Sequence, residues 1–141
     1  MSGPITLRVI TPERVVLDTT VESVTFPALD GSLGVLKGHA PLVAALGVGE
    51  LGFRDGAGQE SGLFIAGGFA EVRDDTVRVV TEASEPPTAI DLARAEASAV
   101  RARKRLEEFQ SVQGESLDLV RAQFALQRAL SRVRVASKYR S

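Results

Sequence analysis

Four arginines in the C-terminal third of the chain have the spacing of an anion-binding set. Arg94 and Arg101 are seven residues apart, and Arg128 and Arg132 are four apart, so each pair lies on one face of a helix. All four flank the apolar seams of two predicted helices, on corresponding sides. Antiparallel helices would therefore direct both pairs toward one anion, and planar guanidinium groups suit the oxygens of a phosphate.

A simpler interpretation accounts for part of this set. An acidic residue at the start of a helix accepts hydrogen bonds from free backbone amides and interacts favourably with the helix dipole. Asp91 stands at such a start, and Arg94 follows three residues later, where it would form an ion pair with that carboxylate. The sequence is therefore consistent with either helix capping or anion binding as the role of these two residues.

Residues for catalysis or metal binding are scarce. The sequence has no cysteine, and its single histidine, His39, cannot make a histidine-rich metal site. Gly67 and Gly68 lack the lysine and the following helix of a phosphate-binding loop, so we predict a bulge or a tight turn there. We therefore predict no catalytic residue and no metal site, and we interpret His39 as a structural residue whose ring bonds to nearby backbone.

Charge divides the chain into two unlike parts. The 141 residues are 44% hydrophobic and 25% charged, which is typical of a globular protein. Residues 1–87 carry 6 basic and 12 acidic residues, a net charge of −6, and residues 88–141 carry 11 and 6, a net charge of +5. Few aromatic residues are present to stack on bases, and no apolar run is long enough to cross a bilayer. We expect no nucleic-acid partner and no direct membrane insertion; the basic part is either a solvated helical face or a contact for an acidic protein surface.

Residues 1–86 show the pattern of β-strands. Ile5, Leu7 and Val9 alternate with polar residues, and similar short runs follow, separated by turn signals such as Asp30-Gly31. Alternation places one face of each strand on a core and the other in water. Many short strands at close spacing predict an antiparallel β-sandwich domain.

Residues 87–141 show a helical period instead. Pro86 and Pro87 end the last strand, and Thr88 has the capping-box spacing to Asp91 that opens a helix. Apolar residues then recur in steps of three and four, and Gln113-Gly114 divides the pattern, after which Ser116 would cap a second helix. Matching seams and a short connection predict an antiparallel α-helical hairpin, and an α+β fold for the whole chain. The seam residues are Leu92, Ala95, Ala99, Ala102, Leu106 and Phe109 in the first helix, and Leu119, Ala122, Leu126, Ala129, Val133 and Ala136 in the second.

The second predicted helix has a further apolar strip outside its seam, formed by Leu117, Val120 and Phe124. We predict that this strip docks on the chain's own sandwich, with docking on a partner as the alternative. Because alanine buries little apolar area, the seam predicts a hairpin that is only weakly closed.

Three segments resemble one known family. They are DGSLGVLKGHAPL at residues 30–42, FIAGGFAEV at residues 64–72 and IDLARA at residues 90–95. In order, spacing and total length the chain resembles the epsilon subunits of bacterial and plastid F-type ATP synthases, which are proton-translocating rotary complexes. The resemblance implies a β-sandwich of about ten strands followed by two helices.

The same resemblance implies a non-catalytic rotor subunit of the central stalk, which couples rotation of the c-subunit ring to the catalytic head. The implied partners are the gamma subunit, the c ring and, when the helices extend, the alpha and beta subunits of the head, where the helices inhibit ATP hydrolysis. The implied location is the cytoplasmic face of a bacterial cell membrane, as a peripheral protein, with a plastid thylakoid as the alternative. The alternative function is a free β-sandwich adaptor that oligomerises through its helices.

Two sets of site residues follow from the resemblance. A loop that faces the c ring would include Asp30, Gly31, Ser32 and His39. Some relatives carry a carboxylate where this chain has Ser32, so a contact there would depend on shape and backbone. No cofactor is required, but in some bacterial members the folded-down helices bind ATP as a regulatory ligand. The matching candidate contacts are Glu85, Ile90, Asp91, Arg94, Ala95, Arg101, Arg128 and Arg132.

Overall fold

The computed structural model describes residues 3–110 and 117–139, which form strands first and helices afterwards. A short 3-10 helix at Pro87–Ala89 separates the two parts, and α1 (Leu92–Gln110) and α2 (Leu117–Tyr139) follow it. The strands are β1 (Ile5–Ile10), β2 (Val15–Val21), β3 (Ser23–Ala28), β4 (Gly31–Val35), β5 (Leu42–Arg54), β6 (Glu60–Arg73), β7 (Thr76–Val80) and β8 (Ser84–Glu85).

The strands form one hydrogen-bonded sheet that folds over into two layers. β2, β1 and β7 continue into the second half of β6, whereas β4 and β3 continue into the second half of β5, and β8 pairs with the first half of β6. All ladders are antiparallel except that between β1 and β7, which is parallel. The described residues contain eight strands, where the resemblance implies about ten, because β5 and β6 each pass through both layers as one continuous strand.

Gly67 and Gly68 lie at the point where β6 passes from one layer to the other. Their φ angles are +76° and +103°, a region that side chains other than glycine rarely adopt. A Cβ at Gly68 would overlap the carbonyl oxygen of Val80 and lie 2.9 Å from the Cα of Thr81. The predicted bulge or turn is thus a bend within a strand, and no helix follows it to bind a phosphate.

The main core lies between the two layers. Ile5, Leu7 and Val9 are fully buried while Thr6 and Arg8 are exposed, as the alternation predicts. They meet residues of the opposite layer, including Val24 and Phe26. This core holds the sandwich together without any contribution from the helices.

The helices pack against each other along the predicted seam. Ala95, Ala99 and Ala102 of α1 are buried, as are Ala122 and Ala129 of α2. The predicted cap residue Thr88 lies in the 3-10 helix and does not open α1. Asp91 does so instead, since its carboxylate accepts a hydrogen bond from the backbone N–H of Arg94 at 3.0 Å. The predicted break at Gln113-Gly114 and the cap at Ser116 lie outside the described residues.

α2 carries the main contact between the hairpin and the outer face of the sandwich. A second apolar cluster joins Phe64 and Ala66 of β6 to Ile90, Val135 and Ala136.

The predicted docking of the strip on α2 is wrong for Val120 and Phe124, while the side chain of Leu117 lies outside the described part of the chain. Val120 and Phe124 are 40% and 49% exposed. Phe124 precedes Val135 by 11 residues, or about three turns, so it shares the docking face of α2 but lies before the part that reaches the sandwich. In the described part of the chain, neither helix is apolar enough over a sufficient length to span a membrane.

Candidate functional site

Glu50, Phe64 and Glu85 lie side by side across three neighbouring strands beneath α2. Glu50 of β5 pairs with Phe64 of β6, and Phe64 pairs in turn with Glu85 of β8. Residues paired in this way project from the same face of a sheet. The outer face of the sandwich therefore presents an aromatic ring between two carboxylates, called the acidic row below.

Arg132 of α2 binds one end of the acidic row. Its Nε lies 2.6 Å from Oε1 of Glu85, and its guanidinium carbon lies 4.3 Å from the centre of the Phe64 ring. Both charged side chains are about one third exposed, whereas Phe64 is fully buried. The arginine thus combines a charge-assisted hydrogen bond with a cation–π contact.

Lys138 and Tyr139, in the last turn of α2, bind the other end. Glu50 Oε1 accepts a hydrogen bond from Lys138 Nζ at 3.0 Å and another from the Tyr139 hydroxyl. Burial of the ring, and then its bond to Glu50, raise the pKa of Tyr139 above the ordinary 10.0. The hydrogen bond to Glu50 is also the main cause that raises the pKa of Lys138.

Among the candidate ATP contacts, Ile90, Asp91 and Ala95 have structural roles in this conformation. Ile90 is buried in the cluster under α2, Asp91 caps α1, and Ala95 is buried in the seam between the helices. All three residues therefore stabilise the start of α1.

The structure brings only some of the remaining candidates together. Glu85 and Arg132 are in direct contact, and Arg128 is half-buried one turn before Arg132. Arg94 and Arg101 are exposed on α1, where Arg101 donates a hydrogen bond to Ser98 at 3.0 Å. The backbone N–H of Arg94, not its guanidinium, makes the bond to Asp91, so its side chain is not needed for the cap.

The residues assigned to the ring-facing loop occupy two connections. Asp30 lies in the tight turn between β3 and β4, and Gly31 and Ser32 open β4; all three are exposed. His39 lies between β4 and β5, with its Nδ1 2.7 Å from the carbonyl oxygen of Ala40. The ring of His39 therefore bonds to adjacent backbone.

The sequence matches two family models in succession. Residues 4–87 match the model described as ATP synthase, Delta/Epsilon chain, beta-sandwich domain, and residues 89–137 match the corresponding long alpha-helix domain. The chain belongs to the delta/epsilon chain family of ATP synthases. It is therefore a non-catalytic stalk subunit of that rotary complex.

Bacterial epsilon chains resemble this family member over nearly its whole length. The ATP synthase epsilon chain of Syntrophomonas wolfei is 42% identical over 132 residues, or 94% of this chain and 93% of that one. That of Syntrophobacter fumaroxidans is 41% identical over 138 residues, or 98% of this chain and 99% of that one.

Solved structures show the same fold in assembled complexes. A chain in the cryo-EM structure of the Euglena gracilis mitochondrial ATP synthase, titled OSCP/F1/c-ring, has a TM-score of 0.77 at 25% identity and covers 91% of this chain and 78% of its own. A chain in the central stalk/c-ring structure from Tetrahymena thermophila has a TM-score of 0.54 at 17% identity and covers 94% of this chain and 93% of its own. The latter likeness is one of fold alone.

Sequence reasoning missed several notable residues of this epsilon-type chain. Nothing in the spacing of Glu50 and Tyr139, 89 positions apart, indicates that they meet. Leu29 and Val43 were also missed, although they are 73% and 68% exposed and line one groove with the turn at Asp30. The only indication in the sequence was the position of Leu29, a large apolar residue directly before the turn signal Asp30-Gly31.

Proposed function

We propose that this epsilon-type chain couples rotation of the c-subunit ring to the catalytic head through its sandwich, and restrains ATP hydrolysis through its helices. The gamma subunit binds it, and the complex stands as a peripheral assembly at the cytoplasmic face of a bacterial membrane. Support for the bacterial setting comes from the bacterial relatives. The observation that carries the coupling role is the exposed turn between β3 and β4, at residues that the family resemblance assigns to the ring.

The apolar side chains of that turn are the strongest candidates for the ring contact. Leu29 and Val43 are exposed beside Asp30, and burying one large apolar side chain stabilises an interface by about 1.5–3 kcal/mol. Ser32 offers only a hydroxyl, so apolar area replaces the charge that some relatives would supply there.

Replacing Leu29 with aspartate tests the coupling role. We expect Leu29→Asp to weaken attachment of the stalk to the ring by at least about tenfold, since an apolar contact is lost and a charge is desolvated. The measurement is the amount of this chain and of the gamma subunit retained with membranes in a strain that carries the variant. Val15→Asp, at a half-exposed valine on β2, is the matched control. Equal retention of both variants would remove this turn from the ring contact, and a chain that fails to copurify with gamma would instead be the free adaptor.

Restraint of hydrolysis fits the way the hairpin is held. Apart from the small cluster around Phe64, polar contacts hold α2 on the sandwich. They are the ion pairs of Arg132 and Lys138, which salt weakens, and the hydrogen bond from Tyr139 to Glu50. Released helices would carry these cations to an acidic surface of the catalytic head. Docked and extended positions would then differ little in free energy, which is what a switch requires.

ATP sensing is a second candidate function, favoured by the position of Arg132. A phosphate would exchange with the Glu85 carboxylate as the partner of this guanidinium, and Arg128 lies one turn away. If ATP binds the docked hairpin and not the extended one, ATP at about 100 times its dissociation constant would stabilise the docked hairpin by about 2.7 kcal/mol.

Calorimetry on the purified chain tests ATP sensing. We expect heat of binding at millimolar ATP, and a loss of about tenfold or more in affinity for Arg94→Ala, because one charge-assisted contact to phosphate is removed. Arg103→Ala, an exposed arginine on the opposite face of α1, is the control. Since the cap uses the backbone of Arg94, the variant keeps its helix, and binding equal to that of Arg103→Ala would remove Arg94 from the site.

A further inference from the structure

The last turn of α2 ends on a flat patch of the sandwich made by two glycines. Gly52 of β5 and Gly62 of β6 are paired directly opposite each other, and the ring of Tyr139 lies over them. A Cβ on Gly62 would overlap this ring, and a Cβ on Gly52 would lie 3.6 Å from its hydroxyl. The sandwich therefore has room for the ring because β6 carries no side chain at Gly62, whereas a Cβ on Gly52 would only be in ordinary contact with it.

A largely buried carboxylate lies beside the patch. The side chain of Glu50 is only 17% exposed, and it accepts hydrogen bonds from both Lys138 and Tyr139. A carboxylate that is largely removed from water is stabilised by such donors, and α2 supplies both of these. The two glycines and Glu50 thus form a shaped and charged receptor for one aromatic residue, called the tyrosine socket below.

We propose that the tyrosine socket is a latch that holds the hairpin on the sandwich independently of the arginine site. The proposal rests on the proposed function, in that release of the latch frees α2 to restrain hydrolysis. Tyr139 lies seven residues beyond Arg132, so the two contacts are about two turns apart on α2. A ligand that exchanges with Glu85 acts on one end of the acidic row, and the socket holds the other.

The latch gives the docked state a dependence on alkaline pH. Among the described residues, Glu50 and Lys138 are the charged groups that contact Tyr139. Arg54 and Glu60 line the same groove but pair with each other at 3.0 Å, and Arg134 lines it from α2. Docking raises the pKa of both Tyr139 and Lys138, so their protonated forms favour the docked state. This contribution is complete below the undocked pKa values of about 10 and is lost as the pH rises through the docked values.

Spin labels measure the docked fraction in the full chain. The sequence has no cysteine, so Thr20→Cys on β2 and Gln123→Cys on α2, both exposed, are the only labelled sites. In that background we expect Gly62→Ala to raise the ratio of undocked to docked chain about tenfold, because its methyl group excludes the ring. Gly34→Ala, a strand glycine whose Cβ would meet nothing closer than 4.0 Å, is the control and should leave the distances unchanged.

A double variant and the absorbance of the single tyrosine distinguish loss of the Tyr139 contact from a general loss of stability. If Gly62→Ala acts only through Tyr139, it should have no further effect in a Tyr139→Ala chain. Glu50→Gln should lower the alkaline midpoint of the phenolate absorbance in the near ultraviolet, which reports Tyr139 alone. Unchanged docking in Gly62→Ala, or an unchanged midpoint in Glu50→Gln, would overturn the latch. If Gly62→Ala undocks the helices but the assembled complex hydrolyses ATP at its normal rate, the latch stands and the restraint of hydrolysis falls.

Discussion

Replacing Phe64 with alanine is expected to release the helical hairpin while the sandwich stays folded. The ring is fully buried in the cluster under α2, and it is also the surface on which the Arg132 guanidinium lies. Truncation of a buried phenylalanine typically costs about 3–5 kcal/mol. The inner core contains no part of this side chain, so nearly all of the loss falls on docking. The docked fraction should fall by two orders of magnitude or more.

Hydrogen exchange and urea unfolding measure the two parts of this expectation separately. Amides of Phe64→Ala should lose protection in the second half of α2 and in β8, whereas protection of β1 and β7 should persist. Phe124→Ala is the matched control, because this phenylalanine on α2 is 49% exposed, and its truncation should change stability by less than about 0.5 kcal/mol. If both variants kept equal protection of α2, the cluster at Phe64 would not be what holds the hairpin.

Periodicity was sufficient to predict the architecture. The alternation at Ile5, Leu7 and Val9 and the alanine seam at Ala95 and Ala99 are local patterns, and both are buried as predicted. The strand count implied by the resemblance differed because β5 and β6 each run through both layers as one strand, and β6 only bends at its two glycines. The local sequence pattern therefore predicts the helices and strands. Only the observed strand pairing shows which strands run through both layers of the sandwich.

The candidate site depended on register, which the sequence does not display. Glu50, Phe64 and Glu85 become neighbours only when three strands are aligned, and a slip of one residue in any of them would turn its side chain to the other face. Arg132 was found through its helical spacing to Arg128 and its match to the family pattern, whereas neither signal marks Tyr139. The strip at Val120 and Phe124 was misassigned because periodicity gives the face of a helix but not the point at which the underlying sheet ends.

The bend in β6 makes Gly68 the least replaceable glycine of the sandwich. We expect Gly68→Ala to destabilise the fold by more than about 3 kcal/mol, because its methyl group would overlap the backbone at Val80 and neither strand can move without breaking the ladder. Backbone strain at φ +103° adds about 1 kcal/mol. Urea unfolding followed by circular dichroism measures the sum.

Gly58→Ala separates these two causes, since Gly58 also has a positive φ, at +83°, but a Cβ there would meet nothing within 4 Å. Only the conformational part, about 1 kcal/mol, should be lost in that control. A loss at Gly68 no larger than at Gly58 would mean that β7 yields at Val80. Packing of the two layers would then not depend on close backbone contact at the bend, and the continuity of β6 would not be what stabilises the sandwich. A large difference would instead make this contact the feature that fixes how the two layers are joined, and hence the position of the acidic row over which α2 docks.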